Sequence, residues 1–303
     1  MIWNLILAIK NSIENHKNDF DILAVKIQEE ISITFDDFSE NHAFVINFSD
    51  SNIYHPSSFY SSNPLILKTV RNTYFNSADL NLIELYLPYA LLPYYAKKFK
   101  KCYTISHFAQ TLDGRIASFS GESKWIGNQE NLIHAHRMRA LCDAILIGSG
   151  TLDADNPRLN VRLVEGADPI KVIIGGDNLS MDEYKAVDNS TIMFCQNHLG
   201  IECNYEKVFL EKNEVYSVDQ ILEALVKRGI YSVYIEGGSF TTSTFLKQNA
   251  LNQVQLHISP KILGSGTSSF SFEGIVGMDH AIKFTDPKFI SVGEEIMFIG
   301  NLR

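Results

Sequence analysis

The stretch Ser232-Val233-Tyr234-Ile235-Glu236-Gly237-Gly238-Ser239-Phe240-Thr241-Thr242-Ser243 ends a short apolar run on two glycines and then opens a hydroxyl-rich helical pattern. Glycines let the backbone turn tightly, and a helix starting there presents free N–H groups and the positive end of its dipole. Such a turn either holds a phosphate or pyrophosphate or is a plain turn capped by Ser239. It is not the Gly-x-Gly-x-x-Gly fingerprint, and no acidic residue about 20 positions on completes one. Glu236 stands at the carboxyl end of the strand, where side chains reach ligands in open parallel sheets.

Outward from this turn the chain is rhythmic. Apolar, β-branched runs recur at Tyr103–Phe108, Ala144–Ile147, Lys171–Ile174, Thr191–Cys195, Lys207–Leu210, Ser232–Ile235 and Val254–Ile258. Helical patterns occupy Asn128–Leu141, Val218–Arg228 and Ser239–Asn249. This alternation predicts an α/β fold, a mostly parallel sheet with helices on both faces. The tail from Phe289 to Ile299 reads as a hairpin that adds antiparallel strands to one edge. Residues 145–157 repeat the strand–glycine–helix plan as Ile145-Leu146-Ile147-Gly148-Ser149-Gly150-Thr151, followed by Asp153, Asp155, Asn156 and Pro157. No His or carboxylate cluster follows those two acids, so they read as hydrogen-bonding groups for a ribose or for backbone amides rather than metal ligands.

Residues 1–100 differ in texture and are taken as a separate, smaller α+β region, with 101–303 as the main domain. A helix is expected at the start, strand-like runs between Thr34 and Ser49 (Ala43 to Phe48 among them), and an aromatic helical pattern from Asn81 to Lys101 that Pro88 and Pro93 interrupt. The apolar first ten residues lack the basic start and small-residue cleavage site of a signal peptide. No apolar run approaches the roughly 20 residues that cross a bilayer. With 26 basic and 35 acidic residues the net charge is −9, which argues against a nucleic-acid partner but allows a small anionic ligand in a local arginine cluster. Cys102, Cys142, Cys195 and Cys203 form no Cys-x-x-Cys pair and are expected as free thiols in a reducing, cytoplasmic setting.

Cations and hydroxyls gather in one further region: Gly121-Glu122-Ser123-Lys124-Trp125-Ile126, then Arg139 near a helix end, then Arg162 beyond the Pro157 turn. Arginine holds phosphate through paired, charge-assisted hydrogen bonds, and Ser123 can add a donor. The alternative is that both arginines are solvated or paired with surface acids. No nucleophile elbow, P-loop, His-Glu-x-x-His or zinc-deaminase signature occurs. His134 and His136 lie two apart on a helix, a poor metal pair, and no metal site is expected.

Taken together, Thr111-Leu112-Asp113-Gly114-Arg115-Ile116-Ala117, Gly121 to Ile126, His136-Arg137-Met138-Arg139-Ala140, Ile147-Gly148-Ser149-Gly150-Thr151 and Asp155 to Arg162 resemble the pyrimidine reductases of riboflavin biosynthesis. Glu236-Gly237-Gly238 and Ile258-Ser259-Pro260-Lys261-Ile262-Leu263-Gly264 match in the same order, and the similarity spans about residues 102–303. The resemblance implies a dihydrofolate-reductase-like fold, NADPH as hydride donor and a homodimer. It implies reduction of the ribosylamino side chain of a pyrimidine 5′-phosphate to the ribitylamino form. By that resemblance Ser123, Arg139, Leu159, Arg162 and Glu236 are substrate-side positions, and Lys124 and Glu236 are the candidates for moving a proton. Ala109, Trp125, Thr151, Asp155, Gly238, Ser239, Phe240, Thr241 and Thr242 are the cofactor-side positions.

Two positions depart from the family: Gly127, where Ser or Thr is common, and Asn156, where Asp is common. Residues 1–100 lack the deaminase ligand motifs that precede the reductase in bifunctional relatives, and their role is not legible. Two other readings stay open: a reductase of the same scaffold acting on a different pterin- or pyrimidine-like substrate, and a ligand-binding module without turnover.

Overall fold

The computed structural model describes residues 1–27, 30–37, 44–48, 75–175, 184–197 and 203–302. Contacts divide the chain into two compact units, Met1–Lys100 and Lys101–Arg303.

In the first unit α1 (Ile2–Asn15) buries Ile2, Leu5, Ile6, Ile9 and Ile13, the three- and four-residue spacing of an amphipathic helix. A three-stranded antiparallel sheet follows, with β1 (Ile22–Ile27) between β2 (Ile31–Phe35) and β3 (Phe44–Asn47). Ala43 and Ser49, at the ends of the strand-like run, lie outside the described residues. α2 (Ser77–Ala90) starts on a capping box between Asn76 and Asp79 and carries Pro88 inside it; the chain breaks at Leu91 and resumes as α3 (Leu92–Phe99). Pro93 sits in the first turn of α3, where its missing N–H costs nothing. Lys97 of α3 donates to the terminal carbonyls of α1: Ile13, Glu14 at 3.1 Å and His16 at 2.7 Å. A cation there satisfies oxygens the helix leaves unpaired and complements its dipole.

The second unit is built on β4 (Tyr103–Thr111), β5 (Arg115–Ala117), α4 (Gln129–Leu141), β6 (Ala144–Gly148), α5 (Ser149–Asp155), β7 (Ile170–Ile174), β8 (Ile192–Cys195) and β9 (Glu206–Phe209). It continues with α6 (Val218–Val226), β10 (Ser232–Ile235), α7 (Ser239–Lys247), β11 (Gln253–Ser259), β12 (Thr267–Ser268), β13 (Thr285–Val292) and β14 (Glu295–Asn301). Nine strands form one sheet in the order β13-β14-β11-β4-β10-β6-β7-β8-β9. The run from β11 to β9 is parallel throughout, and β14 and β13 add an antiparallel hairpin at the β11 edge. All seven strands and three helices read from the sequence are present. β4 runs three residues further than its apolar run, because Ala109 to Thr111 keep their ladder with His257 to Ser259.

Alternate residues of the central strands enter two cores. Ala144, Leu146, Val172, Ile174, Val233 and Ile235 pack with Val218, Ile221 and Leu225 of α6 and Phe245 of α7. Ile145, Ile147, Ile173, Met193 and Cys195 face the other way, with Leu152 of α5 and Leu159. Burial on both faces is why these strands read as unbroken apolar runs. α4 covers the second face at β4 and β11, where His134 Nε2 lies 2.8 Å from Gln255 Oε1. The four cysteines are free thiols, Cys142 and Cys195 buried and the other two half-buried.

Candidate active-site cleft

The parallel strands β4, β10 and β6 lie side by side, and their carboxyl ends open on a cavity of about 1040 Å³. One wall is made by glycine turns. Gly148 ends β6 and caps α5, and Gly238, at φ +44°, caps α7 after β10. A Cβ on Gly237 would lie 2.6 Å from Ile147 Cα, and one on Gly148 would lie 2.5 Å from Thr241 Oγ1. Only glycine lets these two turns approach so closely. Neither Gly148 nor Gly238 gives its helix a side-chain cap, and the buried Ser239 Oγ has no hydrogen-bond partner among the described residues. Ser239, Phe240, Thr241, Gly148 and Thr151 all line the cavity.

The opposite wall carries charge. Arg139 and Glu236 meet across it as a two-pronged ion pair, Nε to Oε1 at 2.7 Å and Nη2 to Oε2 at 2.6 Å, with side chains only 10% and 14% exposed. Arg139 Nη1 also donates to the Asn160 carbonyl at 3.0 Å. Burial works against the Arg139 charge, but Glu236 more than offsets it and the guanidinium pKa rises. The sequence left Arg139 either as a phosphate ligand or paired with an acid; in the structure three of its N–H groups are engaged, two of them by Glu236. Arg162 is exposed, with Nη1 3.1 Å from Asn160 Oδ1, and its backbone N–H donates to His136 Nδ1 at 3.0 Å. His136 accepts that bond because burial, together with Arg139 and Arg162, holds its pKa down to about 4. Arg162 is itself pushed below its ordinary pKa by desolvation and by the nearby Arg139 and Arg158.

The loop after β5 is fastened to the cleft by two residues that sequence reasoning quoted as motif letters without assigning them work. Asp113 takes N–H bonds from Leu263 at 3.2 Å and Gly264 at 2.7 Å, and Thr111 Oγ1 donates to it at 2.6 Å. The Thr111 bond and those two N–H bonds bring its carboxyl down to about 2. The loop fixed in this way carries Lys261, whose Nζ reaches the carbonyls of Trp125 at 2.5 Å and Ile126 at 3.0 Å. Trp125 has φ +66°, an uncommon conformation for a bulky residue, and Lys261 holds its carbonyl. Lys261→Met is expected to speed chymotryptic cleavage after Trp125 about fivefold, the equivalent of about 1 kcal/mol for exposed charge-assisted hydrogen bonds. An unchanged digestion rate would show that the loop holds without this lysine.

Of the residues singled out from the sequence, Ala109, Ser123, Arg139, Thr151, Asp155, Glu236, Gly238, Ser239, Phe240 and Thr241 line the one cavity. Ser123 and Asp155 approach at 3.5 Å on its edge. Lys124 and Trp125 are exposed, Trp125 to 77%, and neither they nor Arg162 belong to the lining. Leu159, at φ +55°, buries its side chain in the core, and Thr242 is fully buried inside α7. The two departures also find physical reasons. A Cβ on Gly127 would lie 2.4 Å from Asn131 Nδ2 and 2.9 Å from Ala109 Cβ. Asn156 takes the left-handed position that ends α5 and accepts the Lys185 N–H at 2.8 Å, a conformation asparagine tolerates well.

A cleft at the carboxyl ends of parallel strands, built on glycine turns and helix starts, defines a ligand-binding α/β protein of the open-sheet class. The profile of the RibD C-terminal domain family matches residues 102–298, and the chain belongs to that family. The riboflavin biosynthesis protein RibD of Mycobacterium tuberculosis (strain ATCC 25618 / H37Rv) is 27% identical over 194 residues, covering 63% of this chain and 51% of that protein. The chain thus spans about half the length of the curated relatives it matches. The solved diaminohydroxyphosphoribosylaminopyrimidine deaminase/5-amino-6-(5-phosphoribosylamino)uracil reductase of Thermotoga maritima superposes with TM-score 0.62 at 28% identity, covering 75% of this chain and 62% of that one. Acinetobacter baumannii RibD superposes with TM-score 0.66 at 16% identity over 99% of this chain and 98% of that one, a likeness of fold.

Proposed function

We propose that this chain reduces the ribosylamino side chain of a pyrimidine 5′-phosphate to the ribitylamino form, with NADPH as hydride donor. The Thermotoga protein named above carries a uracil reductase of this kind in its name. The observation that carries the reading is a cavity of about 1040 Å³ lined both by glycine turns and by an Arg139–Glu236 ion pair. That volume stands at the upper end of small-ligand pockets, which run to about 1,000 Å³.

The glycine wall fits a nicotinamide nucleotide. The close approach enforced at Gly237 and Gly148, the uncapped start of α7 and the orphaned Ser239 hydroxyl offer N–H and O–H groups to a pyrophosphate. When bound, the nicotinamide supplies the hydride that adds to the anomeric carbon of the opened ribosyl group. The charged wall serves the substrate. Beyond the lining, Arg162 feels both Arg139 and Arg158, with Glu236 as counter-charge, and a phosphate reaching it would relieve that repulsion. Glu236, held from two sides by Arg139, keeps its oxygens in place to accept sugar hydroxyl protons. Ser123 adds a donor at the rim. The chain's part in catalysis is therefore positioning and electrostatics, for a reaction whose reductant is the cofactor. The same reading makes the protein a cytoplasmic homodimer, which light scattering of the purified chain checks.

Purified chain, reduced nicotinamide nucleotide and the phosphoribosylamino-uracil or diamino-pyrimidinone are expected to lose the reduced-nicotinamide absorbance only when all three are mixed, faster with NADPH than with NADH. No oxidation of either nucleotide with both substrates at saturation would sink the assignment. A rate that ignores removal of the 5′-phosphate would sink the role of the arginines.

A further inference from the structure

We infer that His107, His134 and His257 form a binding site for one divalent transition-metal ion of the zinc class, buried between α4 and the sheet, with Glu295, which lies beside His257 but outside the three-histidine group as it stands, turning in as the fourth ligand. The three histidines come from β4, α4 and β11, and among the described residues their ring nitrogens form a metal-type ligand group, all within 4.8 Å of one another. All three are buried. Their ring centroids make a nearly equilateral triangle with sides of 5.3, 5.4 and 5.3 Å. Three imidazoles on one tetrahedral ion, with metal–nitrogen bonds of about 2.0–2.1 Å, place their centroids about 5 Å apart. The triangle therefore has the size of a three-histidine site, and small ring rotations bring the nitrogens into bonding range.

Asn131 bonds His107 and the Asn128 backbone bonds Glu295, yet several polar atoms around the triangle lack a partner. Among the described residues, His107 Nε2, both ring nitrogens of His257 and Glu295 Oε2 are buried without a hydrogen bond. Glu295 Oε2 lies 3.7 Å from His257 Nδ1, too far for a hydrogen bond but close enough to share an ion. Orphaned polar atoms are exceptional in folded proteins, and three of these, His107 Nε2, one ring nitrogen of His257 and Glu295 Oε2, can share one ion. Behind the triangle, Gln255 Nε2 donates to Gln253 Oε1 at 3.0 Å and Gln253 Nε2 donates to Asn301 Oδ1 at 2.8 Å. That order leaves Gln255 Oε1 to accept from His134 Nε2 at 2.8 Å, so the His134 proton sits on Nε2 and Nδ1 keeps its lone pair. Outer hydrogen bonds of this kind orient the histidines of metal sites.

Three neutral imidazoles and one carboxylate close the coordination of zinc and leave no open position, so the ion is structural. It would tie α4 to β4, β11 and β14. His107 also lines the cleft, and Arg139 follows His134 on α4, so the ion would fix the helix that carries the charged wall.

The full chain, stripped with chelator and then titrated, is expected to bind one equivalent of zinc and to melt higher with it. Cobalt(II) in its place is expected to give the intense visible absorption of a tetrahedral ion. His257→Leu is expected to abolish stoichiometric binding. Gln255→Leu, which removes the outer bond to His134 and the one to Gln253 but leaves every ligand in place, is expected to weaken it roughly 10–100-fold. Stripped wild-type chain that takes up far less than one equivalent, or six-coordinate cobalt spectra, would overturn the site. So would a folded His257→Leu that binds zinc as the wild type does. Should His257→Leu fail to fold, the wild-type titration and the Gln255→Leu comparison decide alone.

Discussion

Arg139→Ala is expected to lower kcat/KM roughly 100-fold, the equivalent of about 3 kcal/mol of charge-assisted contact, and to destabilise the fold by a similar amount. Both effects have one cause. The substitution strands the carboxylate of Glu236, which is 14% exposed and has Arg139 as its ion-pair partner. An uncompensated charge in such a place costs far more than a surface ion pair contributes. Urea titration reads the stability and steady-state kinetics read the turnover. The double variant Arg139→Met, Glu236→Met separates them: apolar replacement of both partners is expected to recover most of the stability and none of the activity. Wild-type KM in Arg139→Ala would show that the charged wall does not face the substrate.

Gly237→Ala is expected to be a strongly damaging single-methyl change at the cleft. Its Cβ would sit 2.6 Å from Ile147 Cα and 2.7 Å from Ile147 Cβ, a fully buried residue near the carboxyl end of β6. Backbone cannot swing aside as a side-chain end can, so β6 and β10 must part. Overpacking of this kind costs about 1–3 kcal/mol. Parting them also spreads the glycine wall, and reduced-nicotinamide affinity is expected to fall about tenfold or more, read by fluorescence titration. Gly274→Ala is the control, since a Cβ there meets nothing within 4 Å. If both variants bind the nucleotide equally well, the two turns do not form its cradle.

The sheet was legible because its strands are buried on both faces. Ala144 to Ile147 or Ser232 to Ile235 can hardly be read as anything but interior strands once the helices between them are recognised. The glycine turns were legible for a related reason: strand, glycine and helix are adjacent in sequence, so their geometry is local. What stayed hidden lies between distant residues. Arg139 and Glu236 were both picked out, yet nothing along the chain said that they pair. Lys261 and Asp113 stood in recognised motifs, but the tie from Asp113 through the 261–264 loop to Trp125 exists only in three dimensions. His107, His134 and His257 carry no spacing signal at all. His134 was weighed against His136, its neighbour in sequence, while its neighbours in space sit on two strands. The short ribbon of β5 and β12 was missed because two or three residues are too few to show a period.

The strand order has a consequence for how the protein is made. β4 is the first strand of its unit to be synthesised, yet it is flanked by β10 and β11, with Tyr103 paired to Ser232 and Ile105 to Gln253. A nascent chain that stops short of β10 therefore holds β4 with neither neighbour. Closing such distant pairs is the slow part of folding a parallel sheet. The cleft at the ends of β4, β10 and β6 is thus among the last features to form, and a nucleotide that needs it recognises only chains whose synthesis has passed the glycine turn. Ligand present during refolding cannot act as an early template; it can only trap the finished sheet.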